Sequence, residues 1–317
     1  MDERLKYQFE GEDWPIRMAA FEHLRLMSRL YGGSIPWSVI RAGFDFGGDH
    51  YLLASAAEGI FKPKQLRHLL SLKTVVPKPK GRVWYRDQEG GHPLAQPSET
   101  LTYAFRGSDP QSHQNQGLKA AMEARLPLIY FFGVSPGEYE ALFPTYVTDW
   151  DPNTLTCQLF VTPADDVTSI GPPASFGERR YAFRMVEQRL HQSAFRQRVL
   201  HAYGQACAIS GLPEPRLIDA AHIVRDGDEA FGQPEVSNGI CLSKVHHAAF
   251  DADLIGIDRH RIIHVSDHLM RISDGPLLEL GLKDLAGREI RLPKDFASRP
   301  DPERLARRFA EFERVAR

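Results

Sequence analysis

The chain has 317 residues, a formal net charge of −2 and three cysteines. This length allows two domains with their own cores, and the near-zero net charge gives no whole-protein field that would by itself indicate a polyanionic partner. Three widely spaced cysteines argue against a disulfide scaffold, and the absence of any apolar run near the ~20 residues needed to cross a bilayer argues against a membrane protein. The N-terminus also lacks the apolar core of a signal peptide, so we expect a soluble, cytoplasmic protein.

The N-terminal part predicts one helix followed by many short strands. Asp13 and Pro15 indicate a helix start with Asp13 as its cap, and apolar residues then recur at helical spacing until Gly32 and Gly33. Between residues 35 and 161 short apolar runs alternate with glycine, proline and charged turns, which is typical of a closed or strongly curved sheet. A helix is predicted from Asn115 to Arg125. We therefore expect a β-rich domain with flanking helices.

One segment of this domain has a more specific order of elements. A strand at 101–105 is followed by a glycine turn with Asp109, an Asn-led helix, a Pro-led strand at 127–132 and an aromatic strand at 143–147. This order resembles the SRA-type modified-base readers of the PUA-like superfamily, whose barrel accepts a base turned out of the duplex. The resemblance implies that Tyr103, Arg106, Asp109 and Asn115 contact the base. Alternatively, Asn115 only caps its helix, Asp109 only shapes a turn and Tyr103 belongs to the core.

A linker and a basic helix are predicted next. The stretch 162–177 is rich in proline, glycine and acidic residues, and the helix that follows, from 181 to 203, carries a buried stripe with arginines on its other faces. The predicted organisation is a recognition domain at 1–165, a linker at 166–180 and a second domain at 181–317. The arginines predict a DNA-facing surface or, equally, a solvated helix face. The residues assigned to DNA binding are Arg184, Arg189, Arg196, Arg198 and Arg225.

The most informative stretch reads L-I-D-A-A-H-I at 217–223, S-N-G-I at 237–240 and V-H-H-A-A-F-D at 245–251. It sets a histidine at the end of an apolar run, an Asn-Gly turn after it and a His-His pair opening a helical segment. This pattern resembles HNH nucleases of the ββα-metal class, in particular the restriction-endonuclease branch. The resemblance implies that His222 is the general base, that Asn238 orients His222 and stiffens the turn, and that His247 is the helix ligand of a metal ion.

The chain departs from the family pattern directly before the catalytic histidine. Many relatives have Asp or His there as a metal ligand, but this chain has Ala221, which cannot coordinate. Because residues alternate along a strand, Asp219 projects from the same side and is the predicted substitute. Asp251 lies four residues after His247 on the helix and is the other predicted ligand. The alternative for Asp219 is a simple ion pair with Arg216 or Arg225.

These ligand types predict the cofactor. A mixed oxygen and imidazole site favours Mg²⁺ or Mn²⁺ for activity, and Zn²⁺, Co²⁺ or Ni²⁺ can also occupy it. Relatives often carry a separate Cys₄ zinc, but only Cys207 and Cys241 remain of the two expected pairs. We therefore expect no closed structural zinc, and we assign both cysteines to the core. His246 is assigned to packing beside the site rather than to the ion.

The sequence thus predicts an α+β protein with an N-terminal SRA/PUA-like barrel and a C-terminal ββα-metal HNH domain. Its predicted function is a DNA endonuclease of the modification-dependent restriction type, with a homodimer as one way to cut both strands. Two alternatives stay open. One is a non-catalytic reader of modified DNA with a degenerate HNH fold, and the other is a nuclease whose N-terminal domain mediates protein interactions.

Overall fold

The computed structural model describes residues 13–76, 100–162, 176–228, 230–273 and 275–316. The chain forms two compact units, Met1–Leu190 and His191–Arg317, which are described separately below. Residues 166–175 of the predicted linker lie outside the described residues, and residues 176–180 form the first turn of a helix instead. None of the described helices is long and apolar enough to cross a membrane.

Unit 1 is built on one seven-stranded sheet. Its helices are α1 (Trp14–Tyr31), α2 (Trp37–Ala42), α3 (His113–Glu123) and the first part of α4 (Phe176–Ala202). Its strands are β1 (Ser34–Pro36), β2 (Phe44–Phe46), β3 (Asp49–Tyr51), β4 (Ile60–Phe61), β5 (Ser71–Thr74), β6 (Leu101–Ala104), β7 (Leu128–Ser135), β8 (Glu138–Asp151) and β9 (Thr156–Val161). Strands β2 and β3 form a separate hairpin.

The main sheet is open in the part of the chain that the structure describes. Its strand order is β4-β5-β7-β8-β9-β6, with β1 paired to β8, and only the β5–β7 pair is parallel. Strand β7 is buried on both faces, because Ile129 and Phe131 pack into one cluster with α1, while Tyr130 and Phe132 pack into another with α3. The expected mixed α+β architecture is therefore present, whereas the strands of residues 13–76 and 100–162 form a curled sheet that does not close into the expected barrel.

The first helix shows how a local prediction differs from the tertiary outcome. Helix α1 ends at Gly32, which adopts a φ of 66°, as its glycine pair predicts. Its first residue is preceded by Asp13, but this carboxylate does not cap the helix. Its two oxygens instead accept hydrogen bonds from the backbone N–H groups of Arg67 and His68, both at 3.0 Å. The predicted capping role of Asp13 is wrong because a distant loop competes for its side chain.

Unit 2 contains a two-stranded sheet followed by a helix, the arrangement expected for a ββα domain. Strand β10 (Ile218–His222) pairs antiparallel with β11 (Gly239–Ser243), and α5 (Lys244–Asp251) follows directly. A 3₁₀ turn, Val236–Asn238, precedes β11. The remaining elements are β12 (Ile255–Ile257), β13 (Ile263–Val265), α6 (Asp267–Arg271), α7 (Pro276–Gly281) and α8 (Pro302–Val315), with two further 3₁₀ turns at Lys283–Leu285 and Phe296–Ser298. One apolar core joins the end of α4 to these strands and to α5.

Candidate active site

The β10–β11 pair places His222 directly opposite Gly239 in the ladder. Helix α5 begins immediately after β11, because Ser243 caps it by accepting a hydrogen bond from the His246 N–H at 3.2 Å. A strand end and a helix face are thereby held together by a short, fully hydrogen-bonded connection. The candidate site lies where these two elements meet.

His222 is a half-buried imidazole fixed by an aromatic ring. It stacks on Phe195 of α4 with ring centroids 4.1 Å apart and an interplanar angle of 15°. Its Nε2 is buried, lies 3.5 Å from Oδ1 of Asp226 and has no hydrogen bond to any of the described residues. Asp226 is therefore a carboxylate that faces this imidazole.

The charge state of His222 follows from its surroundings. Burial lowers the pKa of the imidazole below its usual value, and of the charged side chains nearby the strongest influence is Asp226, which opposes the shift. His247 adds to the lowering, while Asp251 and Asp219 act against it. His222 is therefore neutral at physiological pH, the form that can accept a proton. All four of these side chains lie close enough to His222 to influence its charge.

Gly239 permits the close packing beneath His222. A Cβ at this position would lie 2.4 Å from Cγ2 of Val199 and 2.9 Å from Cζ of Phe195. Its φ of −130° is ordinary extended backbone, so the glycine is required by space and not by a turn. The predicted Asn-Gly turn is thus a 3₁₀ turn that ends on a strand glycine against helix α4.

Asn238 closes the loop that follows His222. Its side chain is fully buried, its Oδ1 accepts a hydrogen bond from the Val224 N–H at 2.9 Å, and its Nδ2 donates to the Val224 carbonyl at 2.9 Å. Nδ2 also donates to the Gln233 carbonyl at 3.2 Å. The amide therefore pairs with the backbone two residues after His222, and its role in orienting His222 stays a prediction.

The three side chains predicted as metal ligands, Asp219, His247 and Asp251, lie close to one another where β10 meets α5. Oδ2 of Asp219 lies 4.0 Å from Nδ1 of His247, and Oδ2 of Asp251 lies 3.3 Å from Nε2 of the same ring. The other oxygen of Asp219 accepts a hydrogen bond from Arg196 Nε at 2.8 Å, so neither Arg216 nor Arg225 is its partner. Because the two nitrogens of an imidazole point in opposite directions, one ion cannot use His247 together with both carboxylates as they stand.

The donor set fits a divalent cation bound by few protein ligands. Ligands of Zn²⁺ or Mg²⁺ lie roughly 2.0–2.2 Å from the ion, so two donors about 3–4 Å apart can share one. The Asp219–His247 pair and the His247–Asp251 pair both meet this condition, and each combines a carboxylate with an imidazole. In the described ranges, however, no three His, Cys, Asp or Glu side chains are gathered tightly enough to hold a metal ion by themselves. Water and substrate oxygens would have to complete the shell.

His246 points away from this pair into the core of unit 2. Its Nδ1 contacts the Ser243 hydroxyl at 3.0 Å and the Cys207 thiol at 3.4 Å, and its Nε2 lies 2.9 Å from the Gly281 carbonyl. Burial would raise the pKa of Cys207, but hydrogen bonds from His246 and Ser210 outweigh it and lower the pKa to about 6. Cys241 is likewise buried in this core. The structure thus places His246 in packing, as predicted.

The five arginines assigned to DNA binding have different surroundings. Arg184 and Arg225 are exposed. Arg198 is exposed and donates to the carbonyls of Ala194 and Pro234. Arg189 donates to the buried carboxylate of Glu140, and Arg196 is only 7% exposed and pairs with Asp219. Three of the five can therefore reach a phosphate without breaking a buried ion pair.

The four predicted base-reading residues of unit 1 occupy equally different environments. Asn115 is fully buried, accepts from the Arg106 N–H at 3.0 Å and donates to the carbonyls of Arg106 and Asp109. Tyr103 is 4% exposed and packs edge-on against Tyr130. Arg106 pairs with Glu58 at 2.8 Å, and Asp109 accepts from the Gln111 N–H in an exposed turn. As placed, Asn115 shapes the 106–109 loop, and Arg106 and Asp109 are the accessible members.

Sequence reasoning overlooked two contacts of the candidate site. The sequence motifs assign no role to Asp226. It lies four residues after His222 in a polar loop, and this spacing allows its carboxylate to contact the His222 ring. Phe195 is a buried residue of α4, and nothing in its sequence position indicates that it stacks on His222. Only the first of these could have been found from local spacing.

A histidine at a strand end, a clamped loop and a helix histidine beside a carboxylate thus lie together where β10, β11 and α5 meet. Residues 207–258, which lie within unit 2, match the family model described as HNH endonuclease. The resemblance noted from the motifs is confirmed for this segment. The SRA-like resemblance of unit 1 stays a prediction.

Two other comparisons were made with known proteins. No curated protein sequence matches the chain. Among solved structures, a modification-dependent TagI restriction endonuclease is similar, with 14% identity over 77% of this chain and 81% of that chain and a TM-score of 0.30. A TM-score this low does not relate the two folds.

Proposed function

We propose that the chain is a DNA endonuclease that hydrolyses phosphodiester bonds by a one-metal HNH mechanism. The observation that carries the proposal is the imidazole of His222, stacked on Phe195 and facing Asp226, in the same site as the Asp219–His247 pair and within the segment that matches the HNH family. A neutral imidazole and a nearby carboxylate–imidazole donor pair supply the two groups that this reaction requires.

The protein side of the reaction is assigned to His222 and its neighbours. The imidazole of His222 takes a proton from a water molecule, and the resulting hydroxide oxygen bonds to phosphorus while the bond from phosphorus to the leaving oxygen breaks. The imidazolium formed in this step is stabilised by Asp226, whose Oδ1 lies 3.5 Å from Nε2. Phe195 and Asn238 fix the ring and the loop, which limits the reorganisation needed during the reaction.

The cation is assigned to Asp219 and His247, with Asp251 orienting the opposite nitrogen of the same ring. When bound, Mg²⁺ or Mn²⁺ would neutralise charge on the phosphate and on the departing oxygen. Zn²⁺, Co²⁺ and Ni²⁺ suit the same donors.

We also propose that unit 1 recognises DNA, including modified bases, as the order of its strand, turn, helix and aromatic strands suggests. This order is present as β6, the 105–112 loop, α3, β7 and β8. Arg106 and Asp109, at the rim of the loop, are the side chains best exposed for such contacts. Arg184, Arg198 and Arg225 would contact the phosphates. The function is then that of a modification-dependent restriction enzyme, and a homodimer or two successive cuts would break both strands.

Plasmid nicking tests the nuclease assignment. The purified full chain should convert supercoiled DNA to open-circular DNA with Mg²⁺ or Mn²⁺, and EDTA should stop the reaction. His222→Ala should abolish nicking while DNA binding persists. His268→Ala, which removes an exposed histidine of the same unit, is the matched control and should cut normally. Cutting by the His222 variant would disprove the mechanism.

Binding by the inactive His222→Ala chain tests the recognition step. Its affinity should be higher for duplexes with methylated or hydroxymethylated cytosine than for the plain duplex. Equal affinity for all three would leave a nuclease without modified-base recognition and would favour a protein-interaction role for unit 1.

A non-catalytic reader of modified DNA is the second candidate. Ala221 occupies a position where relatives have a ligand, and it is completely buried. A modified-duplex preference without any metal-dependent nicking would support this reading.

A further inference from the structure

Arg196 lies inside the protein although its neighbours in sequence suggested a surface arginine. It is 7% exposed, and its guanidinium makes two contacts with the start of β10 and one with Pro215, three residues before the strand. Nε donates to Oδ1 of Asp219 at 2.8 Å, and Nη2 donates to the carbonyls of Ile218 at 2.9 Å and Pro215 at 3.3 Å. These bonds use the planar, forked shape of the guanidinium, which a flexible ammonium cannot reproduce.

These contacts also determine which carboxylate oxygen of Asp219 remains free to bind a cation. Oδ1 accepts from Arg196 and from the Ala220 N–H at 2.9 Å, so two donors already hold this atom. Oδ2 is left to face Nδ1 of His247 at 4.0 Å. Without the guanidinium, the Asp219 side chain could rotate, because it is about one-third exposed.

We infer that Arg196 is a positioning residue that orients Asp219 so that Oδ2 joins His247 in binding the divalent cation. The inference rests on the proposed function, since it takes Asp219 as a ligand. This positioning role also explains how a site with Ala221 can bind an ion. The Asp219 carboxylate stands two residues before the usual ligand position, so it needs the Arg196 guanidinium to hold it towards the ion. Groups that orient metal ligands typically change metal affinity by roughly 10–100-fold when they are removed.

Manganese binding to the full chain, measured without DNA, tests the inference independently of catalysis. Arg196→Met should raise the Mn²⁺ dissociation constant by roughly 10-fold or more. Arg196→Lys keeps the charge but loses the fork, and it should also bind Mn²⁺ more weakly than the parent. Arg304→Met is the matched control, because Arg304 is equally buried in unit 2 but pairs with Glu235 and Ser237. It should leave Mn²⁺ affinity unchanged.

A double-variant cycle separates this inference from the proposed function. If Arg196 acts through Asp219, then Arg196→Met combined with Asp219→Ala should bind Mn²⁺ no more weakly than Asp219→Ala alone. Additive losses would overturn the inference. Unchanged binding in Asp219→Ala would overturn the ligand assignment itself. Weakened binding in Asp219→Ala with parent-like binding in Arg196→Lys would overturn only the role of Arg196.

Measurements of DNA affinity distinguish the positioning role of Arg196 from a direct contact between Arg196 and a DNA phosphate. A phosphate-binding arginine lowers the salt dependence of DNA binding by about one unit of slope when it is replaced. Arg196→Met, which removes the charge, should keep the parent's DNA affinity and salt slope measured in EDTA, because the buried guanidinium does not face the solvent. A reduced slope in that variant, at unchanged Mn²⁺ affinity, would return Arg196 to the DNA-binding surface and refute the positioning role.

Discussion

Replacing Asn238 with alanine should both destabilise unit 2 and reduce cleavage, because the loop after His222 loses the amide that holds it. The side chain is completely buried, and it is the hydrogen-bond partner of both the N–H and the carbonyl of Val224, which is itself 7% exposed. Alanine would leave both backbone groups without a partner. A buried polar group left unpaired costs about 1–3 kcal/mol, so the free energy of unfolding should fall by about 2–6 kcal/mol.

The tryptophans make this change measurable within one chain. All four tryptophans, at 14, 37, 84 and 150, belong to unit 1, so tryptophan fluorescence follows that unit and far-ultraviolet circular dichroism follows both. With a urea m-value of about 2 kcal/mol per molar, Asn238→Ala should move the unit 2 transition to lower urea by about 1–3 M. The fluorescence transition should stay in place and serves as the internal control.

Asn238→Asp sharpens the test because its shape is nearly the same. Its carboxylate can still accept from the Val224 N–H, but it cannot donate to the carbonyls of Val224 and Gln233. This variant should also be destabilised. If both variants unfolded at the parent's urea concentration, the amide would not be clamping the loop, and the explanation for Asn238 would be refuted.

Further predictions concern pH and the packing beneath His222. Because burial lowers the pKa of His222, kcat/KM should stay level from neutral pH down to about 6.5 and fall at lower pH. A bound cation would lower the pKa of His222 further. A midpoint above 6.5 in the pH–rate profile would contradict this prediction. The same lowered pKa means that below 6.5 the unfolded chain binds the proton more readily, so unit 2 should lose stability to urea as the pH falls towards the folded pKa. Gly239→Ala should cost about 1–3 kcal/mol and reduce nicking, because its Cβ would overlap Val199 and Phe195, whereas Gly275→Ala, with open space around it, should unfold nearly as the parent does.

The sequence predicted the parts of the candidate site that depend on local spacing. His222 ends a strand, His247 and Asp251 share a helix face, and Asn238 lies between them, because strand and helix periods are properties of neighbouring residues. The SRA-like barrel is a different kind of prediction. Whether a sheet closes depends on which strands form its edges, and β4 and β6, at the two edges, are 40 residues apart in the chain. No local pattern contains that information.

The pattern of charged residues was the least reliable predictor of which side chains are exposed, as the arginines of α4 show. Arg196 and Arg198 are two residues apart on one helix and look alike in sequence, yet one is buried against a carboxylate and the other is exposed. The partner of Arg196 is 23 residues further along the chain, and only folding brings it there. A charged stripe therefore predicts a surface only after each charge has been checked for an internal partner.

The Asn-Gly dipeptide illustrates how one motif can serve two separate purposes. Its sequence indicates a turn, but the asparagine is needed as a buried amide that pairs with the 224 backbone, and the glycine is needed because Phe195 and Val199 occupy the space of a side chain. The same close approach brings the Phe195 ring against His222, which stands opposite Gly239 in the ladder. Adjacent residues of α4, Phe195 and Arg196, thus hold the proposed base and the proposed ligand. The geometry of the site consequently depends on a helix that lies outside the 207–258 segment by which the domain is recognised.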